Sequence, residues 1–295
     1  MAAELSSPPR IASLLPGATE IALALGLREA LVAVSHSCDF PGRVEQLPRA
    51  TSTRVPSGAG SREIDEIVRD CLRRGESLYQ LDQALLDRLR PDVIVTQSLC
   101  EVCAVGPDEV ERAIPALTSK PAVIMLEPHT LEEVFASIQA VGDALGRPAE
   151  ATALVGELRR RVNAVRARVA LRGRRPRVAF LEWADPPISG GHWNPELVEL
   201  AGGRDGLGRP GRPSRTLSWE EILGWRPEVM VLACCGFDEA RGREELELLR
   251  RLPGFADLPC ARSSRIHVMD GVRLFSRPGP SLVDSLERLA AVLGD

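Results

Sequence analysis

Apolar residues fall along this chain in two alternating rhythms. Short, mostly apolar runs occur at Ile11–Leu15, Leu31–Ser35, Val93–Thr96 and Val123–Leu126, and again at Val178–Glu182, Val229–Ala233 and Ile266–Met269. Bounded by turn residues, such runs read as strands buried on both faces. Between them the apolar positions recur at three- and four-residue steps, the period of a helix. These stretches predict helices from Gly17 to Leu25 with a stop at Gly26, at Arg62–Arg73 and Leu81–Leu89, and from Thr130 to Leu145 with a stop at Gly146. Further helices are predicted at Pro195–Ala201, Glu239–Leu252 and Leu282–Leu293. Thr130-Leu-Glu-Glu133 and Ser218-Trp-Glu-Glu221 have the form of capping boxes, in which hydroxyl and carboxylate satisfy the free N–H groups of a starting helix. Residues 38–60, rich in Pro, Gly, Ser and Thr, read as loop.

The alternation of strand and helix predicts an α/β fold with parallel sheets. The pattern also occurs twice. Pro9-Arg10-Ile11-Ala12 returns as Pro176-Arg177-Val178-Ala179, and Arg90-Pro91-Asp92-Val93 as Arg226-Pro227-Glu228-Val229. Between the halves lies Pro148–Leu171, whose Leu154, Leu158, Val162, Val165 and Val169 make one apolar stripe. At 1.5 Å per residue this helix is roughly 35 Å long. The expected organisation is two Rossmann-like parallel-sheet lobes, residues 1–147 and 173–295, bridged by a long helix over 148–172. A cleft between similar lobes suits a small ligand. The arginines on the helix's other face, Arg159 to Arg161, Arg166 and Arg168, read as solvated surface.

Composition narrows the function. A net charge of −4 and a sequence pI of about 5.8 argue against a general electrostatic grip on nucleic acid. Mean hydropathy is −0.05, and no run of about 18 apolar residues predicts a membrane span. The first ten residues lack the basic and apolar regions of a secretory signal, so the chain as sequenced is expected in the cytoplasm. No exposed apolar stripe is evident, and a monomer is expected. The seven cysteines, an odd number, read as reduced thiols rather than a disulfide framework.

In parallel sheets ligands bind beyond the carboxyl ends of the strands. The predicted exits carry Pro16, then His36 and Cys38, then Gln97, Cys100 and Cys103, then His129. In the second half they carry Glu182, Trp183 and Asp185, then His192 and Trp193, then Cys234, Cys235 and Phe237. Cys100-x-x-Cys103 reads as half of a metal site, a redox dithiol or two half-buried structural thiols. His36, Cys38 or His192 is a candidate to join the pair on a metal, and either histidine to ligate the metal of a bound cofactor or to stand as a hydrogen-bonded loop residue. Trp183 and Trp193 are candidate flat walls for a large ring system, or core residues. Glu182 and Asp185 offer carboxylates for acid–base work. Cys234-Cys235 reads as packing. No nucleophile elbow, Walker loop, dinucleotide fingerprint or zinc-protease helix motif is present, which weakens an enzymatic reading.

Ser13-Leu-Leu-Pro-Gly-Ala-Thr-Glu20, Ser35-His-Ser-Cys-Asp-Phe-Pro41, Arg90-Pro-Asp-Val-Ile94, Gly191-His-Trp-Asn-Pro195 and Arg277-Pro-Gly-Pro280 together resemble the cobalamin-binding proteins of bacterial ABC importers. The resemblance covers about residues 9–294. It implies a non-catalytic protein of two α/β lobes joined by one long helix, with cobalamin or a related corrinoid as ligand and no catalytic cofactor. On this resemblance the contacts are Pro16, His36, Cys38, Gln97, Cys100, Trp183, His192, Trp193 and Phe237. It further implies an ABC permease as partner, met by an acidic residue on each lobe, for which Glu63 and Glu199 are candidates. Relatives in the family are periplasmic or lipid-anchored. The wider fold family also binds haem and siderophore chelates, so a metal or metal-chelate binder using the Cys/His set is the alternative, and an enzyme of corrinoid metabolism a third.

Overall fold

The computed structural model describes residues 9–40, 42–97 and 113–294. It is a mixed α/β structure whose two main sheets are largely parallel. Backbone contacts divide the chain into two compact units. The first holds residues up to Ala59, Glu66–Glu127 and Phe135–Val155; the second holds Gly60–Asp65, Pro128–Val134 and Gly156–Asp295.

In the first unit, β1 (Ile11–Ser13) lies between β2 (Leu31–Val34) and β5 (Val93–Gln97), and β6 (Ala122–Leu126) pairs with β5, all in parallel. Central β1 and β5 are buried at every residue, whereas edge strand β6 is half-exposed, as its position requires. Helix α1 (Pro16–Ala24) starts on Pro16, whose ring suits a first helical turn. The chain leaves it through Gly26 at φ +74°, a left-handed turn natural to glycine.

The stretch over residues 38–60 departs from the expected loop. It contains a helical turn, Arg43–Gln46, and a strand, β3 (Thr51–Thr53), which pairs antiparallel with β4 (Tyr79–Leu81). Thr-Ser-Thr has β-branched threonines but no apolar run or alternation to mark a strand; its main chain finds partners in a segment almost 30 residues away, which local pattern cannot reveal. The pairing also takes Leu81 out of the predicted helix. Helix α3 (Gln83–Leu89) therefore begins after Asp82, whose carboxylate caps Leu85 N–H at 2.8 Å. Helix α2 (Ser61–Arg74) precedes β4.

In the second unit β7 (Arg177–Ala184) pairs in parallel with β10 (Val229–Leu232), which pairs in turn with β11 (Ile266–Val268). The first residues of β7 also pair with β9 (Arg204–Asp205), and its last residues pair antiparallel with β8 (Pro187–Ser189). No strand is predicted from the sequence where β8 stands. Helices α6 (Asn194–Leu200), α7 (Trp219–Trp225), α8 (Glu239–Arg250) and α9 (Leu282–Gly294) follow in chain order. The Ser218–Glu221 capping box forms in both directions, at 3.2 and 2.9 Å.

Helix α4 (Leu131–Ala144) is capped by the Thr130–Glu133 box. Helix α5 (Pro148–Ala170) buries Ala151, Val155, Leu158, Val162 and Val165, close to the stripe expected. Its arginines are more than solvated surface. Arg161 clamps Glu287 with two bonds, at 3.0 and 2.7 Å, and also meets Asp284; Arg159 pairs with Glu132. Among the described residues no helix is long and apolar enough to cross a membrane.

Candidate functional site

Strand exits in the first unit bring Pro16, His36, Cys38 and Gln97 to the ends of parallel strands. Pro16 begins α1, and Gln97 is the buried last residue of β5. The segment after β2 is tightly held. Arg49 donates to the carbonyls of Ser35 and Cys38 at 3.2 and 2.7 Å. The Cys38 thiol is buried against the hydroxyls of Thr19 (3.1 Å) and Ser35 (3.2 Å), and Thr19 donates on to Ser13 at 2.7 Å. Ser13 and Thr19 of one sequence motif and Cys38 of another thus form one buried polar cluster. Cys38 helps tie α1 to the β2 exit.

His36 is half-buried beside it. Its main-chain N–H donates to Thr51 Oγ1 at 3.0 Å, and Nδ1 shares a 2.8 Å bond with the same hydroxyl. Its ring lies against Tyr79, 5.2 Å between centroids. Strands β3 and β4, absent from the sequence reading, therefore orient this histidine. With Nδ1 engaged, Nε2 is the nitrogen left to meet a ligand. Burial first, and the Arg49 charge second, hold the His36 pKa below its ordinary value, so the ring stays neutral near pH 7.

Other candidates pack inward. Trp183 donates Nε1–H to Ser61 O at 3.2 Å and lies against Phe237, 5.1 Å between centroids. Phe237 is 2% exposed, and the Arg241 guanidinium lies 3.7 Å from its ring centroid in a cation–π contact. Trp193 is 4% exposed and donates Nε1–H to Phe275 O at 2.9 Å. Of the two readings of Trp193, flat wall or core residue, the structure shows a buried, hydrogen-bonded indole. Cys234 is buried and its thiol pKa is pushed up, chiefly by burial, as suits an inert packing residue. Cys100 and Cys103 lie outside the described residues.

Glu182 and Asp185 do not form a working pair. Glu182 is half-buried; its Oε1 accepts from Gly191 N–H and from Asn194 Nδ2, both at 2.7 Å. Burial raises its pKa, opposed by those hydrogen bonds. Asp185 instead accepts two bonds from Arg62, at 2.8 and 3.2 Å. Gly191 must be glycine here, because a Cβ would fall 2.3 Å from Ser214 N. That close approach shapes the turn carrying His192.

His192 is half-buried at φ +51°. Its N–H donates to Arg212 O at 2.6 Å, and its carbonyl accepts from Gly211 N–H at 2.9 Å. Its Nδ1 stands 3.1 Å from Nδ1 of His129. His129 was visible as a residue after a strand, but nothing local joins it to a partner 63 residues away. Thr51, Arg49 and Tyr79 were missed for the same reason. Among the described residues no group of three or more His, Cys, Asp or Glu is placed to hold a metal ion. Glu63 and Glu199 are both exposed, and both fall in the second unit rather than one in each.

Known proteins share this organisation. The family model described as periplasmic binding protein matches residues 11–272. A vitamin B12-binding protein of Photorhabdus laumondii is 22% identical over 98% of this chain and 90% of its own length. The crystal structure of the periplasmic vitamin B12-binding protein of Vibrio cholerae has a TM-score of 0.69 at 22% identity, covering 97% of each chain. A periplasmic haem-binding protein of Roseiflexus sp. RS-1 has a TM-score of 0.72 at 23% identity, covering 97% of this chain and 98% of its own. With the match spanning both units and nearly all the strands described above, this chain belongs to the periplasmic binding protein family.

Proposed function

We propose that this chain binds cobalamin or a related corrinoid and passes it, chemically unchanged, to an ABC-type permease. The observation that carries the reading is the near full-length match to relatives named vitamin B12-binding protein, in Photorhabdus and again in Vibrio at 24% identity over 96% of this chain. The reading is non-catalytic, and the separate engagement of Glu182 and Asp185 agrees with it. An extracytoplasmic station belongs to the same proposal, following the periplasmic relatives rather than the expectation from the first ten residues.

Within it, His36 is the residue best prepared to meet the ligand: neutral, held through Nδ1, with Nε2 available to a cobalt centre or a corrin side chain. Pro16 and Gln97 are proposed to line the same set of strand exits, and Glu63 and Glu199 to face the permease. Cys38, Trp183, Trp193 and Phe237 act behind the site, as packing that holds its shape.

Haem is the second reading, favoured by the fold shared with the Roseiflexus protein. The deciding experiment is a titration of the chelator-treated chain with cyanocobalamin, aquocobalamin and haemin, followed by tryptophan fluorescence and the visible spectrum. We expect one corrinoid per chain, released unaltered on denaturation, with His36→Ala weakening the aquo form most. Saturation by haemin alone would replace the corrinoid with haem, and no binding of any tetrapyrrole would end both readings.

A further inference from the structure

We propose that His129 and His192 form a two-histidine site for a divalent transition-metal ion such as zinc or cobalt.

The geometry carries this. The two Nδ1 atoms stand 3.1 Å apart. Two metal–nitrogen bonds of about 2.0–2.1 Å place their nitrogens roughly 3.3 Å apart at a tetrahedral angle and roughly 2.9 Å apart at a right angle. The observed separation lies between those limits, so an ion can enter with little movement of either ring. In the metal-free pair one Nδ1 carries a proton and donates it to the other. Binding requires that ring to carry its proton on Nε2 instead, a tautomer change with no net charge.

Both residues are held for the task. His192 sits in the left-handed region, where the backbone bonds to Gly211 and Arg212 keep it. His129 N–H is fixed by the Glu133 carboxylate at 2.6 Å. Burial, and then the His129 charge, hold the His192 pKa down to about 4, leaving its lone pair available at neutral pH. No third His, Cys, Asp or Glu joins them among the described residues, so water or an external ligand completes the coordination. Imidazole pairs of this kind suit zinc, cobalt, nickel and copper. They do not suit the metal of a macrocycle, whose free positions lie on opposite faces of the ring and cannot be spanned by two adjacent nitrogens.

The test uses the full chain, stripped with chelator and titrated with cobalt(II), read by its visible absorption, then with zinc in competition. One ion per chain is expected. His129→Ala and His192→Asn, the latter chosen because asparagine tolerates the left-handed backbone, are each expected to weaken binding roughly tenfold or more. Cys100→Ser/Cys103→Ser is expected to leave it unchanged. Loss in the cysteine variant with retention in both histidine variants overturns the proposal, as does the absence of cobalt binding. Because a histidine variant can lose its fold, imidazole nitrogen NMR of the wild-type chain supplies a second readout. Zinc should shift both Nδ1 resonances and leave Nε2 protonated; unmoved Nδ1 signals reject the site. Corrinoid titration of the same proteins reads the other proposal separately.

Discussion

The main-chain N–H of Arg177 donates to the Glu228 carboxylate at 2.9 Å, and Glu228 N–H returns a bond to Arg177 O at 2.8 Å. Arg10 and Asp92 make the same exchange, both bonds at 2.8 Å. The side chains repeat as well: Arg10 donates to Leu89 O and Arg177 to Arg226 O, and Arg90 and Arg226 both cap their helices at positive φ. The sequence echo between the halves is thus a physical joint, made twice. It ties the start of a central strand to the turn entering its neighbour.

The joint predicts unequal costs. Glu228 is only part-exposed and also pairs with Arg174, whereas Asp92 is exposed. Glu228→Ala should lose about 1–3 kcal/mol, the range for a hydrogen-bonded charged group, and Asp92→Ala less. Urea unfolding of both variants decides; an Asp92 cost equal to that of Glu228 would remove exposure as the cause. The Arg177 N–H bond depresses the Glu228 pKa, so its contribution is present above the ordinary glutamate range and fades as pH falls through the folded value.

Trp193 should matter for stability rather than affinity. Trp193→Phe keeps most of the apolar contact but removes the 2.9 Å bond to Phe275 O. A loss of about 1–3 kcal/mol follows from leaving that buried carbonyl short of its donor. Corrinoid affinity, compared among fully folded samples, should stay as in the wild type. A large drop in affinity without a drop in stability would put the indole back at the ligand.

Asp205 and His192 give the second unit opposite pH responses. Burial raises the Asp205 pKa to about 6 against N–H bonds from Leu207 and Gly208. Its folded pKa exceeds the ordinary 3.8, so its favourable share is complete below that value and is lost as pH rises through about 6. The shift of about two pH units corresponds to about 3 kcal/mol. His192, depressed to about 4, contributes above its ordinary 6.5 and loses that share as pH falls toward 4. Thermal melts should therefore respond differently in two variants. Asp205→Asn should flatten the decline seen as pH rises from about 4 to 6, and His192→Asn the decline seen as pH falls from 6.5 toward 4. The reverse assignment of directions would contradict both origins.

Ser61 and Glu245 should behave as one unit. The Glu245 carboxylate accepts from both the hydroxyl and the main-chain N–H of Ser61, at the positive end of α2. Both residues are buried. Removing either alone strands the other, so each single alanine variant should cost about 1–3 kcal/mol, and the double variant clearly less than their sum. Additive losses in a double-mutant cycle would show that the two act independently.

Much of the fold was legible because it rests on local or repeated pattern. Continuous apolar runs marked β1, β5, β7 and β10, helical spacing marked the buried stripe of α5, and the 130–133 and 218–221 boxes marked helix starts. Each depends on residues within a turn or two of one another. Of the candidate site, His36 and Cys38 stood out because reactive side chains followed a predicted strand.

Tertiary structure decided what those residues do. Thr51–Thr53 became a strand only by pairing with Tyr79–Leu81, and that pairing accompanies the Thr51 hydroxyl and the Tyr79 ring that hold His36. Trp183 and Trp193 carried the same aromatic signal whether walls or core, and the folded chain buries both. His129 and His192 met only because the folded chain closed 63 residues of separation to 3.1 Å. Periodicity by itself determined which elements form, since their hydrogen bonds and apolar faces are set by near neighbours. Which side chains share a site was left to long-range packing, whose free energy is realised only when distant segments are ordered together.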